Sequence, residues 1–206
     1  MLPMKRVLLK LTAIGAPSGI LLPMVWGWFE PGYASLSQQM SELELLHGSA
    51  ALATRAGALI CGLSLAAFAL ALLLSKSGRM PFTAASALVF GVSMMSNGVF
   101  VMGGPLHGLY GIGLACVLTP AFFAAEFPRN ADTQNRDRLS LLAAVLCLVY
   151  MWLLVTGLDP AAGRGLTQRL ASTPLFGWYS YAALKLLAYG PRSSILRRTD
   201  SSKATG

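Results

Sequence analysis

Six long apolar runs separated by short polar connectors dominate this chain and leave little room for any other architecture. They fall near residues 7–29, 52–75, 81–102, 106–127, 139–157 and 170–189. A helix needs about 20 residues to cross roughly 30 Å of hydrocarbon, and each run is of that order. Backbone groups in lipid have no water to bond, so a crossing segment is either a helix or a strand of a closed barrel. The runs lack the alternation of period two that barrel strands carry. The expectation is an all-α, polytopic membrane protein, a six-transmembrane-helix bundle forming one domain over residues 1–190. Composition agrees: 12% of the 206 residues are charged, against about 25% in soluble domains, and mean hydropathy is +0.60. The first run follows Lys5 and Arg6, but it exceeds the roughly 7–15 apolar residues of a secretion signal and is read as a span.

Orientation follows from the basic residues. With the N-terminus in the cytoplasm, the inner side collects Lys5, Arg6, Lys10, Lys76, Arg79, Arg129, Arg136, Arg138, Lys185, Arg192, Arg197, Arg198 and Lys203. Only Arg55, Arg164 and Arg169 remain outside. That asymmetry predicts cytoplasmic N- and C-termini in a multi-pass protein of the cell inner (plasma) membrane. The net charge of +8 then reflects topology and attraction to anionic lipid rather than nucleic-acid binding. Residues 191–206 are polar and basic and read as a disordered cytoplasmic tail. Cys61, Cys116 and Cys147 lie within predicted spans at no metal-ligand spacing and read as small buried hydrophobes.

The connector after the first span contains SELELLHG, residues 41–48, which is rich in ionisable groups for so apolar a chain. Leu36, Met40, Leu43 and His47 recur at helical spacing, and Ser35 with Gln38 fits a capping box. The spacing predicts a short amphipathic outer helix near 35–47, with Gln38, Ser41 and Glu42 on its polar face and Gln39 and Glu44 at the flanks. Trp26, Trp28, Phe29 and Tyr33, with Phe100 and Trp152, form an interfacial aromatic belt. Trp178, Tyr179 and Tyr181 lie deeper, where a phenol or indole seeks a polar partner. Gly15 and Gly19 frame a small-residue helix face suited to close helix contact, in this chain or with a partner membrane protein.

Polar groups at membrane depth cost free energy unless they find partners or water, so they carry the functional information. Arg55 begins the second span, Asn97 lies in the outer part of the third, His107 opens the fourth, and Gln168 and Arg169 open the sixth. With Ser41 and Glu42 from the connector, these seven residues are the candidate ligand-binding set for one outward-facing pocket. Glu42 is the expected counter-ion of Arg55 or Arg169. Glu42 and His107 are also the only candidates for an acid and base, with either arginine available to an anionic headgroup. Glu126, Lys10 and Lys185 sit at inner helix ends and read as snorkelling or charge-paired. HExxH, GxSxG, CxxC and Gly-rich phosphate-loop motifs are absent from the sequence. His47 and His107 with Glu42 or Glu44 lack a fixed further ligand, so no metal and no cofactor is assigned.

Three short motifs carry a resemblance. PGYASLSQQMSEL after the first span, PLHGLYG at the start of the fourth and GLTQRL before the sixth are similar to those of the six-span bacterial membrane proteins grouped as domain-of-unknown-function family 998. The resemblance spans roughly residues 10 to 190 and implies the fold and topology without an activity. It marks Ser41, His107, Gly108, Gln168 and Arg169 as motif positions. The chain departs from the family at Glu44, where a glycine is usual. Three functions are compatible with these features: a protein binding a lipid headgroup or small amphiphile, a membrane-embedded lipid hydrolase or transferase, and a non-catalytic partner of another membrane protein.

Overall fold

In a computed structural model the described residues are 3–75, 80–109, 112–127 and 133–203. Among them are six α-helices and no strand: α1 (Pro3–Phe29), α2 (Ser49–Leu73), α3 (Pro81–Val99), α4 (Ala115–Glu126), α5 (Thr133–Thr156) and α6 (Arg164–Lys203). Helices α1, α2, α3 and α5 are long and apolar enough to cross a membrane, as in a multi-pass membrane protein. Chain neighbours pack on one another from α1 to α6, and α6 returns to α1, so the helices close into a ring. Lys76, Arg79 and Arg129, which the sequence assigns to inner loops, lie outside the described residues.

Small residues set the closest contacts. A Cβ on Gly19 would sit 2.7 Å from the Gly57 carbonyl oxygen, and one on Gly62 would sit 2.6 Å from that of Gly91. Backbones at such distances are held by dispersion and by hydrogen bonds between helices, since lipid gives no hydrophobic drive for helix pairing. Thr12 Oγ1 donates to the Ser64 carbonyl (3.0 Å) and Ser180 Oγ to that of Ala13 (2.7 Å), fastening α1 to α2 and α6. The Gly15 and Gly19 face is therefore turned to α2 within the chain. Trp178 Nε1 finds its expected polar partner in Ser140 Oγ at 2.9 Å, while Tyr179 is fully buried edge-on to Phe68.

The ends of α3 are capped by charged side chains from its neighbours. At its start Glu126 accepts the Phe82 and Thr83 N–H groups (3.0 and 2.9 Å) and the Thr83 hydroxyl (2.6 Å). At its end Arg55 donates to the carbonyls of Gly98 (3.0 Å) and Val99 (2.8 Å). Acid at the N-terminus and base at the C-terminus both complement the helix dipole and bond its orphan groups. Sequence reads Glu126 as snorkelling or charge-paired and Arg55 as paired with Glu42; among the described residues both instead bond local backbone groups and neither has an ion pair.

Three expectations about regular structure need correction. The fourth run, near 106–127, is not one continuous helix. It starts as 3₁₀ turns at His107–Leu109 and Ile112–Leu114, and α4 begins only at Ala115. Gly108 and Leu109 have positive φ (69° and 44°), which breaks a right-handed helix. The exposed carbonyls are met from α3, where Ser93 Oγ donates to Gly108 (2.6 Å) and Ser96 Oγ to Leu106. Irregular backbone at this depth is tolerated where protein satisfies it.

The outer helix near 35–47 is also shorter than expected, a 3₁₀ turn over Met40–Leu45 preceded by irregular turns. At three residues per turn, Met40 and Leu43 share the buried face while Leu36 and His47 are exposed. Lastly, α6 continues to Lys203, through the segment read as a disordered tail. Extending an existing helix needs no new nucleus.

Candidate functional site

The ring encloses a cavity of about 300 Å³ to which all six helices contribute. Its walls are apolar, with Ile20, Phe90, Met151 and Phe176 among them. Two connectors also line it: the one after α1, through Met40, Ser41 and Glu44, and the one after α3, through His107, Gly108 and Gly113.

The first connector is held down by the start of α6. Arg169 donates from one guanidinium nitrogen to the carbonyls of Gln38 (3.2 Å) and Gly165 (2.8 Å), and from the other to the Tyr33 hydroxyl (2.8 Å). Tyr33 in turn lies within donating distance of the carbonyls of Gln38 (3.0 Å) and Gln39 (2.9 Å). Burial pushes the Tyr33 phenol up, against the adjacent Arg169 cation. Tyr33 is thus a buried joint rather than a belt residue. Gln168 Oε1 accepts the Met40 N–H at 2.7 Å. Gly165 lies so close beneath the carbonyls of Ser35 and Gln38 that no side chain fits there. The motif GLTQRL therefore seats the connector through its glycine, glutamine and arginine.

Within the connector, Gln38 Oε1 accepts the Ala34 N–H (2.7 Å), and Ser35 Oγ donates to the Gly27 carbonyl (3.0 Å). The expected capping box at Ser35 and Gln38 is replaced by Glu42, which reaches back to the Gln39 N–H at 2.8 Å. Glu42 is committed to that cap, with Gln38 Nε2 at 3.4 Å. It has no ion pair with Arg55 or Arg169 among the described residues, which corrects its role as counter-ion. Arg55 and Arg169 bond backbone carbonyls and Tyr33 instead, and Arg169 Nε is buried with no partner among the described residues.

The acid that meets the histidine is Glu44. Its Oε2 accepts the Met102 N–H (3.0 Å) and lies 3.6 Å from His107 Nδ1, and its side chain is 2% exposed. His107 Nδ1 is also 2.8 Å from the Phe100 carbonyl, which can only accept, so this nitrogen carries the proton. The Glu42–His107 acid and base pair of the sequence reading is thus replaced by Glu44 and His107. A 3₁₀ period explains the exchange: Ser41 and Glu44 are three apart and share the face that lines the cavity.

Of the seven sequence candidates, Ser41, Asn97, His107 and Gln168 line this one cavity, and Glu42, Arg55 and Arg169 do not. Asn97 Nδ2 reaches only Met94 Sδ (3.8 Å), and its Oδ1 is buried with no partner among the described residues. Glu44, Tyr150 and the three cysteines also line it. Glu44 could have been singled out as the position where the chain departs from its family's glycine; nothing in the sequence marks Tyr150. Among the described residues no three His, Cys, Asp or Glu side chains gather as a metal site.

Burial raises the Glu44 carboxyl above its ordinary 4.5, opposed by His107, the Met102 N–H and Arg55. The folded protein then keeps this proton to higher pH than the unfolded chain does, so this group's contribution to stability falls as pH rises from about 4.5 through the raised value. Thermal unfolding of the detergent-solubilised protein between about pH 4 and 8 should show that decline, and Glu44→Gln should flatten it. An unchanged slope in the variant would assign the decline to another group.

A family model described as Protein of unknown function (DUF998) matches residues 13–185. No curated protein and no solved structure matches the chain.

Proposed function

The chain belongs to the DUF998 family, and we propose that it binds a lipid or small amphiphile in the cavity enclosed by its six helices. One observation carries this reading: an apolar chamber, inside a ring of apolar helices, ends in a few polar side chains brought from separate connectors. Ligand sites commonly have this form, with volumes of roughly 300–1,000 Å³, mostly apolar walls and few polar groups that fix orientation. The apolar part of an amphiphile would lie among Ile20, Phe90 and Phe176, and its polar end near Ser41, Asn97 and His107.

The topology proposed with it is six crossings, both termini cytoplasmic, in the bacterial inner membrane. The distribution of Lys and Arg supports it. In that frame residues 100–126 together make the fourth crossing, α6 the sixth, and the cavity's polar end faces outward. The partnership with another membrane protein draws less support, because the Gly15 and Gly19 face is occupied by α2.

Filling the chamber tests the reading. Ala171 and Cys147 are small, buried and on its wall. Ala171→Phe and Cys147→Phe should each lower the amount of co-purifying amphiphile at least about ten-fold, measured by extraction and mass spectrometry, while the elution volume of the protein stays unchanged. Full retention of the same molecules by both folded variants would defeat the proposal.

A further inference from the structure

The polar end of the cavity is rich in acceptors, beside neutral donors on Ser41, Gln168 and Tyr150. Glu44 meets the Met102 N–H and His107 through Oε2, and its Oε1 has no hydrogen bond among the described residues. Asn97 contributes a buried Oδ1 with no partner among the described residues. His107 carries its proton on Nδ1, facing the Phe100 carbonyl, so in the neutral ring Nε2 presents a lone pair. Each of these groups accepts hydrogen bonds, and all three residues line the same space.

The lining contains no lysine or arginine among the described residues. The arginines nearest in sequence are committed elsewhere, Arg55 to the end of α3 and Arg169 to Tyr33, Gln38 and Gly165. A phosphate or carboxylate entering here would find only neutral donors, from Ser41, Asn97, Gln168 and Tyr150, and would set a negative charge against a buried carboxylate. An ammonium brings up to three donors and a positive charge that can lie directly beside the carboxylate.

Resting on the binding function above, we propose that the cavity selects a cationic amphiphile and holds its primary ammonium group among Glu44, Asn97 and His107. Glu44 supplies the counter-charge, Asn97 Oδ1 and His107 Nε2 accept the remaining N–H donors, and the alkyl chain follows the apolar wall. Anionic headgroups, which the two arginines suggest from sequence alone, are disfavoured.

The probes are dodecylammonium, dodecyl phosphate and dodecanol, titrated into the purified full chain in maltoside micelles and read by native mass spectrometry. Dodecylammonium should occupy the protein at a concentration at least about ten-fold below either of the others. Glu44→Gln keeps an acceptor for the Met102 N–H and should erase most of that preference, as should Asn97→Leu; Ala171→Phe should abolish binding of dodecylammonium altogether. Equal or tighter binding of dodecyl phosphate, or a preference that survives Glu44→Gln, would overturn the ammonium assignment. If the three probes bind alike and all are lost in Ala171→Phe, the amphiphile cavity stands and the headgroup assignment falls. Absence of binding by all three to the unaltered chain would overturn both.

Discussion

Arg169→Met should cost about 3 kcal/mol of stability and release the connector over residues 33–46, because hydrogen bonds from a charged donor contribute roughly 1.5–3 kcal/mol each. The guanidinium joins three partners on two segments: Gly165 in its own helix, and Tyr33 and Gln38 in the connector. Its loss leaves the Tyr33 hydroxyl without its donor, in a site where the ring is 9% exposed. Arg169→Lys should recover little, since an ammonium on a flexible stem cannot reproduce a planar fork reaching both. Thermal unfolding in detergent gives the first number. Amide hydrogen exchange gives the second, with faster exchange expected at Gln38, Gln39 and Met40 while α2 and α3 stay protected. Uniform acceleration across all helices, or none, would contradict a local clasp. Loosening of this connector also exposes the cavity end that Ser41 and Glu44 line, so the same variant should weaken ligand retention.

Gly57→Ala and Gly62→Ala should each cost about 3 kcal/mol or more, as overpacking against backbone cannot be relieved by a rotamer change. A methyl at Gly57 collides with the Gly19 carbonyl and comes within 2.9 Å of Pro23 Cδ. At Gly62 it comes within 2.6 Å of the Gly91 carbonyl oxygen and 2.7 Å of the Met95 nitrogen. Gly177→Ala is the control: its methyl would meet nothing within 4 Å, and alanine in a helix is favoured over glycine by about 0.5–1 kcal/mol. The expected ordering of melting temperatures is Gly177→Ala at or above the unaltered protein and the other two well below. A Gly57→Ala protein as stable as the parent would mean that α1 and α2 can move apart freely.

The proposed amphiphile binding would join these results to the chemistry of the cavity. The ring holds apolar surface on both its lipid side and its inner side, and the connectors supply the few groups that can tell one headgroup from another. Arg169, Tyr33 and Gln168 act as positioning residues: they hold Met40, and through it the turn bearing Ser41 and Glu44, at the mouth of the chamber.

Much of this was legible in the residues. Apolar run length, the burial cost of an unpaired backbone and the lack of barrel-strand alternation point to an all-helical chain with several apolar helices, since helices and closed barrels are the structures that satisfy amides in lipid. The scarcity of polar side chains also made Asn97, His107, Ser41 and Gln168 identifiable as neighbours, for each had to find a partner or a polar space. Choice of partner was decided by the tertiary structure. Glu42 and Glu44 are two residues apart, and an α-helical period turned the first toward the pocket where the 3₁₀ turn presents the second. Arg55 and Arg169 read as ligands for anions until the folded chain set unmet carbonyls within their reach. The broken fourth run has a similar cause: its glycines permit a helix or a bend, and Ser93 and Ser96 on the facing helix make the bend satisfiable. Hydrophobicity is additive along a chain and can be summed from sequence, whereas a hydrogen bond depends on which single atom lies within about 3 Å, and only the packed helices determine that.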